Sequence, residues 1–177
     1  LYHLIDPSPK PITEKALEAA DRHPNKRLLI HYLPPHHPFV GPTADEHLPP
    51  YDEQSNDLFG RIQRGELDIS DEDLYAAYGK NLDRVVPEAE RLIEELDGKT
   101  VVTADHGELL GDTTDPIPIT DYGHHPGLYV DELVEIPWLE CTSETRRRIV
   151  AEPADEEHAT SVADELVDDR LRNLDYK

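Results

Sequence analysis

The sequence predicts an α/β fold in which a mostly parallel β-sheet is sandwiched between helices, in one domain over residues 1–177. Two short apolar runs, residues 28–32 and 101–103, have the length and the aliphatic content of buried strands. Both lie between segments with helical periodicity, and strands that alternate with helices are typical of parallel sheets covered on both faces. We therefore expect the two runs to be adjacent or near-adjacent central strands.

Three segments carry helical patterns. Residues 13–22 place apolar side chains on one side of a short helix. Ser70 is a favourable N-cap, since its hydroxyl can accept a backbone hydrogen bond, and the acidic residues after it suit the positive end of a helix dipole. Apolar residues then recur at helical spacing as far as Leu96, although Pro87 is expected to kink or divide this helix. Residues 155–174 predict a closing helix.

Prolines and glycines mark where regular structure is interrupted. Residues 34–50 contain six prolines and are predicted to form an irregular loop. Gly107 follows the strand predicted at residues 100–104 and is expected to let the chain turn into another helix. Residues 135–141 predict a further strand. Pro137 confines that strand to an edge or to an irregular ladder, because proline donates no hydrogen bond.

The charge of the chain restricts its partners. It carries 39 acidic and 17 basic residues, a formal net charge of −22, and the acidic excess runs along the whole sequence. Such a charge repels nucleic acid and anionic membrane surfaces. The 37% of apolar residues favours a packed fold over a disordered one. The pattern is typical of halophiles that accumulate salt in the cytoplasm, so we expect a cytoplasmic, halophilic protein.

Other features of the sequence bear on its cellular context. Cys141 is the single cysteine, which excludes a disulfide framework within the chain. The sequence contains no apolar run of transmembrane length and no recognisable signal peptide. It begins at Leu1 and contains no methionine. We interpret this as an N-terminal region that precedes Leu1, in which any targeting signal would lie.

Histidines are concentrated where the predicted strands end. His36 follows the first strand, Asp105 and His106 follow the second, and His124 lies in a loop rich in glycine and proline. Neutral imidazole and carboxylate groups are ligands of divalent metal ions. Loops that follow the strands of a parallel sheet meet at its carboxyl edge. Asp105, His106 and His124 are therefore expected to converge on one crevice, with His36 within reach.

Taken one at a time, these residues have simpler interpretations. Asp105 alone would serve as a helix cap, and the three histidines would be ordinary residues of solvent-exposed loops. The convergence of three histidine-bearing loops in one α/β unit is what favours a binding site.

Four motifs follow one another in a characteristic order. Residues 103–111 are Thr-Ala-Asp-His-Gly-Glu-Leu-Leu-Gly, a Gly-His pair stands at 123–124, and an Ile-Pro pair at 136–137 belongs to a predicted strand. Residues 35–39, upstream of these, are Pro-His-His-Pro-Phe. Together they resemble the sulfatase branch of the alkaline phosphatase superfamily, with its S/T-x-D-H-G-E-x-x-G, G-H, "VP" and P-H-x-P-F elements. Residues 167–176 are similar to its closing helix.

The resemblance implies an alkaline phosphatase-like fold and a hydrolase of sulfate or phosphate esters, either small molecules or glycans. Asp105 and His106 would be metal ligands, and His124 would be a further ligand or a contact to the transferred group. His36 would contact the sulfuryl or phosphoryl oxygens, or protonate the leaving group. The cofactor would be a divalent metal ion, either zinc, manganese, calcium or magnesium, which would polarise the ester and stabilise the nucleophile.

Parts of the family pattern are missing from the sequence. The nucleophile and further acidic ligands of these enzymes lie in an N-terminal strand-loop region that we do not find, and Cys141 does not stand in the sulfatase motif C/S-x-P-x-R. Residues 128–130 replace the lysine that often follows the Gly-His loop. We expect an ester hydrolase if the nucleophile is supplied upstream. The alternatives are a catalytically silent binding or assembly domain, and an acidic surface that binds cations without a specific site. The oligomeric state stays open.

The dense negative charge predicts that the fold needs high salt. Repulsion between charged side chains extends over about 30 Å at 0.01 M salt but only about 3 Å at 1 M. The midpoint of thermal unfolding, followed by circular dichroism, should therefore rise steeply from dilute buffer to molar KCl. A midpoint that stays flat or falls would contradict this expectation.

Overall fold

The computed structural model describes residues 8–54, 57–114 and 118–151, which form helices and two small antiparallel sheets. The helices are α1 (Lys10–Arg22), α2 (Pro42–His47), α3 (Leu58–Gln63), α4 (Asp71–Glu95) and α5 (Asp131–Val134), with a 3-10 turn at Tyr51–Glu53. The strands are β1 (Lys99–Thr103), β2 (Leu109–Thr114), β3 (Ile119–Gly123) and β4 (Trp138–Thr142). None of the helices in these ranges is long and apolar enough to cross a membrane.

The predicted parallel sheet sandwiched by helices is wrong. β1 pairs antiparallel with β4, and β2 pairs antiparallel with β3, so each sheet has two strands. Residues 101–103 do lie in a strand, but residues 28–32 join no ladder in the described part of the chain, and Leu29 is 98% exposed. An apolar run predicts a segment that can be buried, whereas a parallel ladder also requires a second strand beside it. The described residues supply none.

Most of the predicted helices and strands are present with shifted bounds. The helix predicted at 13–22 begins three residues earlier, and the strand predicted within 135–141 begins at Trp138, directly after Pro137. Ser70 caps α4 as expected, since its hydroxyl oxygen accepts from the backbone N–H of Asp73 at 3.1 Å. Pro87 was predicted to kink or divide this helix; α4 continues through Pro87, so a division is wrong and a kink stays a prediction. The closing helix predicted at 155–174 lies outside the described residues.

The segment after Gly107 forms a hairpin instead of the predicted helix. β2 and β3 pair from Leu109 opposite Gly123 to Thr114 opposite Ile119, with an irregularity between Leu110 and Asp112. A hydrogen bond of 2.7 Å from the Tyr122 hydroxyl to Asp71 Oδ1 fixes this hairpin to the first turn of α4.

The hydrophobic core lies between α2, α3, α4 and the β2–β3 hairpin. Burial of a large apolar side chain stabilises a protein by roughly 1.5–3 kcal/mol relative to exposure. Phe39 contributes to this core from the loop that precedes α2, so the core also anchors that loop. The buried members are Phe39, Ala44, Leu48, Leu58, Phe59, Ile62, Leu74, Ala77 and Leu110.

Two buried amide side chains hold the loop that precedes α2. Asn81, in the middle of α4, donates from Nδ2 to the carbonyl oxygens of His36 at 3.1 Å and Pro38 at 3.0 Å. Gln54 accepts from the Phe39 N–H at 2.8 Å and donates to the Phe39 carbonyl at 3.1 Å. Buried backbone groups need partners. Asn81 and Gln54 supply these partners in a segment that belongs to no β-ladder.

Replacement of Asn81 by alanine should lower the free energy of unfolding by roughly 3 kcal/mol, because several partly buried backbone groups would lose their partner. Asn25→Ala is the matched control, since Asn25 is exposed. Its effect should stay within about 0.5 kcal/mol. Urea unfolding in molar KCl measures both values, and equal losses in the two variants would contradict the role given to Asn81.

Candidate metal-binding site

Three separate segments bring metal-ligating side chains together. His36 comes from the loop before α2, Glu108 from the residue before β2, and His124 from the residue after β3. Their candidate ligand atoms all lie within 4.8 Å of one another. The ring of His106 also lies against that of His124, with centroids 4.2 Å apart, and the rings of His36 and His124 are 5.7 Å apart.

The register of the hairpin explains why Glu108 and His124 meet. Leu109 stands opposite Gly123 in the antiparallel ladder. The next pair outward is therefore Glu108 opposite His124, and side chains of opposed residues lie on the same face of the sheet. His124 Nδ1 lies 2.8 Å from Glu108 Oε1. The pairing of two strands thus produces a contact between residues that are 16 positions apart in the sequence.

Two glycines allow the chain to approach closely beside these residues. A Cβ atom on Gly107 would collide with the carbonyl oxygen of Glu132, and the Gly107 N–H donates to the Leu133 carbonyl at 2.9 Å, which ties this segment to α5. Gly123 has φ +86°, a conformation that side chains rarely adopt, and a Cβ there would press on the Phe59 ring. Both glycines therefore help to set the positions of the neighbouring histidines.

Three of the histidines share one hydrogen-bonding arrangement. His36 Nδ1 bonds the carbonyl oxygen of His37, and His106 Nδ1 bonds that of Gly107 at 2.8 Å. His124 Nδ1 bonds the carboxylate of Glu108. Carbonyl and carboxylate oxygens only accept, so each Nδ1 is the donor and each neutral ring carries its lone pair on Nε2. In metal sites, such a bond from the second ring nitrogen orients the ligand histidine.

The contact between Glu108 and His124 is largely removed from solvent. The side chains are 5% and 13% exposed, respectively. The carboxylate also acts on Tyr78, whose pKa rises to about 12, first because of burial and then because of the negative charge of Glu108, with smaller effects of Tyr75 and Asp105. The Tyr78 phenol therefore stays neutral beside the site at any physiological pH.

The predicted site residues differ in their distance from one another and in their exposure to solvent. His106 and His124 are in contact, and His36 lies beside His124, as described above. The Asp105 carboxylate is 59% exposed, accepts from the His106 N–H at 3.1 Å, and lies 3.9 Å from His106 Nε2. It stands outside the group with ligand atoms within 4.8 Å, so the part of Asp105 and His106 in metal binding stays a prediction.

Glu108 is the site residue that sequence reasoning missed. It was visible only as one letter of a motif, because the segment after it was predicted to be a helix. Residues 109–114 and 119–123 show no regular alternation of polar and apolar positions, so the sequence contains no clear signal for the strand pairing that places Glu108 opposite His124.

Comparison of the chain with protein-family models, with curated proteins and with solved structures found no match. The similarity to the sulfatase branch therefore rests on the sequence motifs alone.

His37 predicts a specific pH dependence of stability. It is 5% exposed and packs against Phe39 and Phe59, and its pKa falls to about 3, chiefly because of burial and also because of the nearby His36 and His124. The unfolded chain takes up a proton on this histidine below about pH 6.5, whereas the folded chain does not. The free energy of unfolding is therefore unaffected by His37 above pH 6.5. It falls as the pH decreases from 6.5 toward 3, because only the unfolded chain binds the proton in this interval.

Between pH 6.5 and pH 5, His37 should account for about 2 kcal/mol of lost stability, at about 1.4 kcal/mol per pH unit. His37→Phe keeps a ring against Phe39 and Phe59 and removes this titration. The metal-free variant should therefore lose less stability than the wild type over this interval, as measured by urea unfolding in molar KCl. Parallel pH profiles would contradict the assignment.

Proposed function

We propose that the chain binds one divalent metal ion through histidines and a carboxylate, and that it hydrolyses sulfate or phosphate esters at that ion. The observation that carries the proposal is the convergence of His36, Glu108 and His124, with ligand atoms within 4.8 Å, from three segments of the chain. Catalytic zinc sites combine histidines with carboxylates, and the carboxylates either bind the ion or orient a ligand histidine.

The environment of His36 suits a metal ion. Its Nε2 is buried and has no hydrogen-bond partner among the described residues. A buried nitrogen without a partner is destabilising. A cation would satisfy this lone pair. Imidazole-rich sites suit zinc better than calcium or magnesium, which prefer oxygen ligands. Of the four candidate ions, zinc therefore fits the residues best.

The remaining site residues support an ester as the substrate class. When bound, a divalent ion polarises the ester and lowers the pKa of a bound water molecule. The His106 ring lies against that of His124 and, when protonated on both nitrogens, can donate from Nε2 to an oxygen of a sulfuryl or phosphoryl group. The exposed carboxylate of Asp105, at the rim, is a further ligand candidate. The sequence motifs around these residues favour the same chemistry.

A second candidate is a domain that binds the metal without hydrolysis. Cys141 stands opposite Thr100 in the β1–β4 sheet and lies in no sulfatase motif. In the enzymes that the sequence resembles, the nucleophile comes from a region that we do not find here. This observation favours a binding or assembly domain if the protein has no other source of a nucleophile.

Zinc binding tests both candidates. Calorimetric titration of chelator-treated protein with ZnCl₂ in molar KCl should show one bound ion, and His36→Ala and His124→Ala should each weaken binding at least tenfold. His23→Ala is the matched control, because His23 is exposed. Asp105→Ala should also abolish zinc uptake if Asp105 is a ligand. A wild type that binds no zinc would contradict the proposal.

Hydrolysis separates the two candidates. The zinc-loaded protein is assayed with p-nitrophenyl sulfate and p-nitrophenyl phosphate, with the His36→Ala variant as the negative control. Release of p-nitrophenol by the wild type alone supports the hydrolase. Zinc binding without turnover on either ester favours the silent domain.

A further inference from the structure

We propose that Glu108 is a positioning residue: its buried carboxylate holds His124 with the proton on Nδ1, so that Nε2 is the atom that binds the metal. This inference rests on the proposed metal site. It assigns a role to a residue that otherwise would be counted as a third ligand.

One hydrogen bond occupies Nδ1 of His124. Glu108 Oε1 lies 2.8 Å from His124 Nδ1 and takes the position to which an Nδ1–H points. A metal ion bound to Nδ1 would have to lie along the same direction, because the imidazole lone pair and the N–H bond point the same way. The Glu108 oxygen therefore blocks Nδ1 as a ligand atom and leaves Nε2.

The other two histidines of the cluster are held in the same way. His36 and His106 each bond a backbone carbonyl through Nδ1, so the three rings present the same tautomer. In two of them the backbone sets the tautomer, and only in His124 does a side chain set it. A substitution of Glu108 can therefore change the tautomer of His124, whereas the backbone carbonyls that bond His36 and His106 remain in any variant.

The segment that carries Glu108 is rigidly held. Glu108 directly precedes β2, and the first pair of the hairpin, Leu109 with Gly123, is fixed by a wholly buried Leu109. The Glu108 side chain is 5% exposed. A ligand shell needs such fixed outer contacts, since their loss commonly weakens metal affinity 10- to 100-fold. A carboxylate held in this way orients a ring without needing to touch the ion.

Two variants test the role of Glu108. Glu108→Gln keeps the size and an oxygen acceptor but removes the charge, and Glu108→Leu removes the acceptor. We expect the zinc dissociation constant to rise about 10-fold in Glu108→Gln and towards 100-fold in Glu108→Leu. Glu135→Gln, at an exposed glutamate, is the matched control and should bind zinc as the wild type does.

A spectroscopic measurement on the metal-free protein gives an independent readout. Imidazole ¹⁵N shifts, recorded where the rings are neutral, distinguish a proton on Nδ1 from one on Nε2. His124 should carry its proton on Nδ1 in the wild type and on Nε2 in Glu108→Leu. If the leucine variant does not fold, Glu108→Gln should still show a smaller Nδ1–H population than the wild type.

The outcomes separate this inference from the proposed function. A wild type that binds no zinc overturns the metal site, whereas the tautomer of metal-free His124 still decides whether Glu108 sets the ring. Glu108 is a direct ligand, and the inference is wrong, if both variants lose zinc affinity well beyond the roughly 10- to 100-fold effect of an outer contact while His124 keeps its tautomer. Unchanged affinity together with an unchanged tautomer also overturns it.

Discussion

The antiparallel register of β2 and β3 is the constraint on which the candidate site depends. With Leu109 opposite Gly123, Glu108 and His124 become neighbours on one face. A slip of one residue would move one of the two side chains to the opposite face of the hairpin. Leu110 lies in the core and the Tyr122 hydroxyl bonds Asp71, so the same register is also fixed by packing and by α4. Core and site are therefore specified by one set of strand pairs.

α4 has a comparable role for the other side of the site. Its apolar face closes the core, while the buried Asn81 on the same helix bonds the loop that carries His36. A buried amide is costly unless its hydrogen bonds are made, and when they are made it selects one arrangement of the groups around it. The position of His36 thus follows from the position of a helix, although His36 itself lies in irregular backbone.

Local signals in the sequence were sufficient for part of the structure. The Ser70 cap, the periodic apolar face of α4 and the β-branched run at 101–103 act within a few residues, and each was predicted with its type. The parallel sheet was not predictable in this way, because pairing depends on which distant strand is available. The prediction for residues 28–32 was wrong for that reason.

The site was predicted in part for a different reason. His36, His106 and His124 were expected near one another on the premise of a common sheet edge. In the structure a hairpin and an anchored loop bring them together, and Glu108 was missed because its contact depends on strand register.

The edges of the β1–β4 sheet bear on how copies of the chain behave toward one another. Trp138 and Leu139 on β4 are 64% and 54% exposed, and each strand of this sheet has one neighbour within the described residues. Unpaired strand edges are templates for association with other chains. A net charge of −22 on every copy opposes such encounters over distances that shrink as ions are added. The acidic surface thus opposes association of chains through the edges of this sheet. Concentrated salt weakens that opposition, while it also reduces the repulsion between charges within the fold.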